Sequence, residues 1–152
     1  MSETTVNSKS DANPATATAD DARAGAGVFM HIGEVAARTE LSLRSLRHWE
    51  EVGLLRPSAR TDGGFRLYTE EDVEKILVIR RMKPLGFTLD QMKTVIQDIA
   101  LLRDSATTDD DRAGACERVN AIRTEAVERR QRLALQVAMA DEFIDLLERE
   151  GT

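Results

Sequence analysis

The sequence predicts a mainly α-helical protein: a winged helix-turn-helix domain with a small β-hairpin wing, followed by one long coiled-coil helix. Three observations carry that expectation. Two short amphipathic segments are separated by a tight turn, an Asp-Gly-Gly turn joins two short extended segments, and the run from Arg112 to Glu150 has no proline and no glycine after Gly114. Composition agrees: 152 residues leave room for one domain or a small domain plus an extension, and aromatics are only 4%, which disfavours an aromatic-cored sheet sandwich.

Residues 1–28 are Ser, Thr, Ala, Asp and Gly with almost nothing to bury, so they predict a disordered tail. Met30 stands just before the first patterned segment and is a second candidate start. In "HIGEVAARTE", Ile32, Val35 and Ala36 at i, i+3, i+4 spacing predict a first helix, and His31 reads as a surface residue near its start. After a turn at Thr39 to Leu41, Ser42 is an N-cap for a second helix through "LRSLRHWEEV", with Gly53 as a left-handed stop. "RPSARTDGGFRLY" predicts a hairpin about Asp62-Gly63-Gly64, its first strand confined to an edge by Pro57.

Thr69 and Asp72 have capping-box spacing, opening a third helix with Val73, Ile76, Leu77 and Arg80 on its face. Pro84 and Gly86 end it. Thr88 and Gln91 repeat the spacing for a fourth helix, with Met92, Val95, Ile96 and Ile99 inside. These elements define a domain over 29–104. "RDSATTDDD" is a polar break, and Asp109 to Asp111 suit a helix N-terminus.

The segment 105–152 then predicts a coiled-coil dimerisation helix. Ala115, Val119, Ile122 and Ala126 are spaced by four and three, as are Leu133, Val137, Ala140, Ile144 and Leu147. The seam shifts phase around Arg129 and Arg130, where the winding should loosen. At 1.5 Å per residue the helix would run on the order of 58 Å, too long to bury against so small a domain. It therefore predicts a partner helix, most simply a second copy.

Charge is unevenly distributed. The formal net charge is −6, yet residues 30–93 carry 11 basic and 10 acidic side chains, against 8 and 13 in residues 94–152. Arg44, Arg47, Arg56, Arg60 and Arg66 all fall on the second helix and the hairpin. Nucleic-acid binding follows the local face, and arginine's planar donor fork suits phosphates and guanine edges. The second helix of such a motif enters the major groove by its N-terminal residues, here Ser42, Leu43, Arg44 and Ser45. The hairpin would then be a wing with Arg66 against phosphate or in the minor groove. The alternative for any one arginine is a solvated surface charge paired with Glu50, Glu51 or Asp62.

Four markers stand in order: "IGEVA", "LRHWEEVGLL", "GGFRLYTEEDV" and "LGFTLDQM". Together, over Ile32 to Met92, they resemble the DNA-binding region of the MerR family of transcription regulators, where the second marker commonly reads Arg-Tyr-Tyr-Glu before Gly-Leu-Leu. The resemblance implies a homodimer joined by an antiparallel coiled coil and bound to a pseudo-palindromic promoter site. It would control transcription by RNA polymerase by distorting the promoter spacer. It places Arg47 at a backbone-contacting arginine, His48 and Trp49 at the two tyrosines, and Arg66 and Tyr68 at the wing's arginine and tyrosine. An indole has one N–H donor and no hydroxyl, so Trp49 reads equally as a core anchor. Glu40 stands where a glycine is frequent and predicts slight strain.

A single cysteine, Cys116, excludes an intramolecular disulfide and any cysteine-based zinc or iron–sulfur site within one subunit. Metal-sensing relatives use paired cysteines and redox relatives four, so no cofactor or metal is expected. Cys116 lies near the start of the long helix, toward the positive end of its dipole. It is thus a candidate thiol sensor, with a buried or half-buried packing role as the alternative. Met82, Met92 and Met139 read as core. Nothing resembles a phosphate loop, a nucleophile elbow or a paired-carboxylate site, which predicts a protein that is not an enzyme. No run approaches the roughly 18 apolar residues of a membrane span, and the start lacks a signal-peptide pattern, so the expected location is cytoplasmic. Two other readings are an architectural, excisionase-like DNA-bending protein and an adaptor acting through its coiled coil.

Overall fold

The computed structural model describes residues 28–151. The tail expected over 1–28 lies, apart from Val28, outside the described residues. The elements are β1 (Met30–His31), α1 (Ile32–Thr39), α2 (Leu43–Glu51), β2 (Ala59–Arg60), β3 (Arg66–Tyr68), α3 (Glu70–Met82), a 3₁₀ turn (Lys83–Leu85), α4 (Leu89–Arg103) and α5 (Asp109–Glu150). The fold is mainly helical with a small antiparallel sheet, as the sequence predicts.

Local chemistry sets most boundaries. The Ser42 side chain caps α2 by accepting from the Ser45 N–H at 3.0 Å, and Gly53 follows the helix at φ 72°. Thr69 and Asp72 form a complete capping box on α3, as do Thr88 and Gln91 on α4. Thr108 caps α5, whose first turn holds Asp109, Asp110 and Asp111 against the positive end of the helix dipole. In the turn between α1 and α2, Glu40 sits at φ 54°, in the left-handed region that favours glycine, which agrees with the slight strain expected of it.

The wing differs from the expected two-stranded hairpin. Its strands join β1 in a three-stranded sheet of order β1-β3-β2, with Met30 opposite Tyr68 and Ala59 opposite Leu67. β3 is therefore central and satisfied on both sides, and β2, just after Pro57, lies at an edge. A two-residue strand carries too little alternation to register in the sequence. At its base, Ser58 donates to the buried Asp72 at 2.5 Å, tying the hairpin to the α3 cap.

One core unites the elements, drawing on Val35 of α1, Leu46 and Trp49 of α2, Tyr68 of β3, Ile76 and Ile79 of α3, and Met92 and Val95 of α4. The α3 face differs from expectation at one position. Ile79 and Met82 take the core side, while Arg80 is exposed and reaches Glu40 at 2.7 Å. Ile96 and Ile99 are partly buried against the core, as read for α4.

Helix α5 is continuous over 42 residues, about 63 Å at the usual rise. Its proximal half packs back on α4 within the chain. Ala115 is buried, and Ile122 and Ala126 lie against the core. Those two positions of the expected dimer seam are thus used inside the chain, because α4 offers them an apolar face. Polar links reinforce the contact: the buried Asp98 carboxylate accepts from Arg118 at 2.6 Å, and Arg129 donates to the Leu85 carbonyl at 2.9 Å while its guanidinium stacks 4.3 Å above Phe87. From Arg130 on every described residue of α5 is exposed. The phase shift read at Arg129 and Arg130 falls where in-chain packing ends.

These contacts generate a stability test. Ile76→Ala, at a fully buried site, should cost about 2–5 kcal/mol, and Thr88→Ala about 1 kcal/mol, both read from urea melts at one fixed protein concentration.

Candidate nucleic-acid interface

The periodicity of α2 decides what it presents. Leu46 and Trp49 turn inward, which leaves Arg44, Arg47 and His48 outside on the opposite face. Ser45 is half-buried beside the cap, its hydroxyl 2.9 Å from that of Ser42. Arg44 and Arg47, and Arg56 in the loop after α2, have no ion pair or side-chain hydrogen bond among the described residues. Their donors are available to a ligand.

The wing arginines stand differently. The Glu50 carboxylate, on the last turn of α2, takes Arg60 on one oxygen at 2.5 Å and Arg66 on the other. Arg60 also donates to the Gly64 carbonyl at 3.1 Å, closing the wing tip. The pairing holds the Arg66 guanidinium above its ordinary pKa, chiefly through the hydrogen bond it donates to Glu50. One carboxylate thus fixes the wing against α2. The surface-pair reading holds for these two arginines as regards Glu50, although neither is removed from the exposed face.

Trp49 and Tyr68 leave the set of direct contacts. Trp49 is 5% exposed and Tyr68 fully buried, so both are core anchors that position the face. The Tyr68 hydroxyl finds no hydrogen-bond partner among the described residues. Burial pushes its phenol pKa up, the Glu50 charge adds to the rise, and Arg66 and Arg60 oppose it.

Sequence reasoning missed two cations. An open groove of about 740 Å³ runs along α2, lined by Arg44, Arg47, His48 and Trp49 and closed on its far side by Arg80 and Lys83. Arg80 comes from the last turn of α3 and Lys83 from the 3₁₀ turn after it, more than thirty residues beyond Arg44 to Trp49, so spacing gave no signal. Cys116 is exposed and its sulfur is 3.6 Å from the Asn120 side-chain nitrogen. Ala115 takes the buried place, so the packing role expected for the cysteine does not hold.

Comparison with known proteins agrees with this geometry. A profile described as MerR HTH family regulatory protein matches residues 30–99. The nodulation protein NolA of Bradyrhizobium elkanii is 41% identical over 73 residues, covering 48% of this chain and 33% of that protein. Heavy metal-dependent transcription regulator 2 of Rhizobium meliloti (strain 1021) is 35% identical over 91 residues, covering 59% of this chain and 60% of that protein. The chain thus spans between a third and three fifths of these curated relatives. The crystal structure of HiNmlR, a MerR family regulator lacking the sensor domain and bound to promoter DNA, shares the fold. Its TM-score is 0.56 at 20% identity, over 80% of this chain and 83% of that one.

Tyr68 is the only tyrosine in the chain, so alkaline titration reads it alone. With its pKa raised on folding, the stabilisation it contributes is fully present below the unfolded value of about 10 and is lost as pH rises through the folded value. Tyrosinate absorbance should stay absent at that ordinary value and appear together with loss of helical circular dichroism; ordinary titration in the folded protein would contradict the burial.

Proposed function

The chain belongs to the MerR family of helix-turn-helix regulatory proteins, and from that premise we propose that it is a sequence-specific DNA-binding transcription regulator. It binds a pseudo-palindromic promoter site as a homodimer. The observation that carries the reading is the Arg44–Arg47 face of α2, unpaired among the described residues, beside a wing held at fixed angle by Glu50. An arginine-bearing helix of this diameter fits the major groove, and the wing then lies over the adjacent backbone. Arg44, Ser45 and His48 are assigned to base edges or nearby phosphates, Arg47, Arg56, Arg80 and Lys83 to phosphates, and Arg60 and Arg66 to the backbone beside the wing. Ser42 caps the helix and presents its backbone at the phosphate.

Dimerisation is assigned to the distal half of α5, where Leu133, Val137, Ile144 and Leu147 are all exposed with Ala140 between them. Val119 is half-buried on the packed proximal half and belongs at most to its rim. Two domains on one rigid pair of helices would grip two half-sites, and strain imposed between them would bend and untwist the spacer that RNA polymerase reads. The chemistry is deformation of DNA in the cytoplasm, with no bond made or broken. An architectural DNA-bending role has less support, because such a protein has no use for an exposed apolar arm of this length.

Footprinting on the DNA upstream of its own gene tests the reading; protection of two half-sites flanking an overlong spacer is expected, and protection of one unpaired site would favour the architectural role. With about eight phosphates neutralised, the logarithm of affinity should fall against log salt with a slope near −7. Arg44→Ala should weaken specific binding roughly tenfold to a hundredfold, while Arg47→Ala should weaken all sequences alike. Replacing both Leu133 and Ile144 with Asp should give monomers in sedimentation, and a persisting dimer would place the interface elsewhere.

A further inference from the structure

His48 stands at the first of the two positions where the MerR pattern has tyrosine, so this chain carries an imidazole where a phenol is common. The exchange changes the chemistry of the site. A phenol stays neutral at physiological pH, whereas imidazole is the side chain whose charge ordinarily changes between roughly pH 5 and 8.

The surroundings of His48 give that difference a consequence. Its side chain is 61% exposed on the outer face of α2, one turn beyond Arg44. One turn further on, a Glu51 carboxylate oxygen lies 3.9 Å from its Nδ1, too far for a hydrogen bond but within reach of one after a small side-chain rotation. The other charged side chains that line the groove are cations, Arg44 and Arg47 on α2, Arg80 on α3 and Lys83 in the turn after it. Arg80 also pairs with Glu40 at 2.7 Å. A phosphate is the anion such a groove fits, and His48 is then placed between that phosphate and Glu51.

Both of those neighbours only accept hydrogen bonds. A neutral imidazole has one N–H and one bare nitrogen, so donating to the phosphate turns a lone pair toward the Glu51 carboxylate. The imidazolium has two N–H groups and serves both, and the added anion favours its charge. We propose that His48 takes up a proton from solvent when a DNA phosphate enters this groove, donating from Nε2 to the phosphate and from Nδ1 to Glu51. This rests on the DNA-binding reading above and adds to it a dependence of affinity on pH. The bound state holds more protons than the free state, so affinity rises as pH falls.

The chain has two histidines, His31 and His48, which makes the assignment separable. The probes are a labelled duplex of the DNA upstream of its own gene and a scrambled duplex of the same composition, titrated by fluorescence anisotropy at fixed ionic strength. Affinity of the full chain for both should fall about tenfold or more between about pH 6 and about pH 8. His48→Gln should flatten that slope, His31→Gln should keep it, and His48→Arg, whose charge is fixed, should bind tightly without it. Calorimetry at about pH 7 in PIPES and in Tris should read an uptake approaching about one proton per subunit, lost in His48→Gln. Helical circular dichroism checks that each variant is folded. A flat profile for the unsubstituted chain, or a slope that His48→Gln retains, would overturn the proton coupling and leave DNA binding in place. Absence of binding to either duplex at every pH, in the folded chain, would remove the DNA-binding reading beneath it.

Discussion

The structure depends on one small core in which Leu46 and Trp49 of α2 are sealed with Tyr68 of β3 and Ile76 and Ile79 of α3. Burying one side of a nine-residue helix leaves its rotation no freedom, so whatever stands on the other side is presented at a fixed angle. Close packing then ties the wing to the same reference, because the central strand contributes its tyrosine to that core. The arginine face is a consequence of what lies beneath it.

Glu50 extends this logic to the surface. It is half-buried at the end of α2, next to the Trp49 anchor, and both of its oxygens are engaged by arginines, one from each strand of the wing hairpin. A carboxylate shared between two guanidiniums costs desolvation but leaves the remaining guanidinium donors facing outward. Negative charge inside a cationic face thus sets geometry without neutralising Arg44, Arg47 or Arg56. The sequence-level contest between structural pairing and ligand binding has different winners at different arginines.

Helix α5 divides by the same rule of burial. Its first half finds α4 and is held there by Ala115, Ile122 and the Asp98–Arg118 pair; from Arg130 on its described residues are exposed, large apolar side chains included. Asp98 shows how strongly the two helices are committed, since a buried carboxylate is tolerable only with its charge met, here by three contacts from one guanidinium. Arg129 is the boundary marker between the halves.

The sequence by itself determined most helix boundaries, the caps at Ser42, Thr69 and Thr88, the left-handed stop at Gly53 and, Arg80 apart, the inward faces of α1, α3 and α4. These are set by residues three or four apart, whose hydrogen bonds and side-chain directions are fixed by local geometry. It also determined the cationic helix and hairpin, because five arginines in so short a window need no tertiary information. What only the tertiary structure decided were pairings across tens of residues: Met30 with Tyr68 in the sheet, Glu50 with Arg60 and Arg66, Arg80 and Lys83 beside α2, and Asp98 with Arg118. The burial of Trp49 and Tyr68 belongs with them. Whether an amphipathic aromatic faces solvent or core depends on which distant elements close over it, and no local spacing records that.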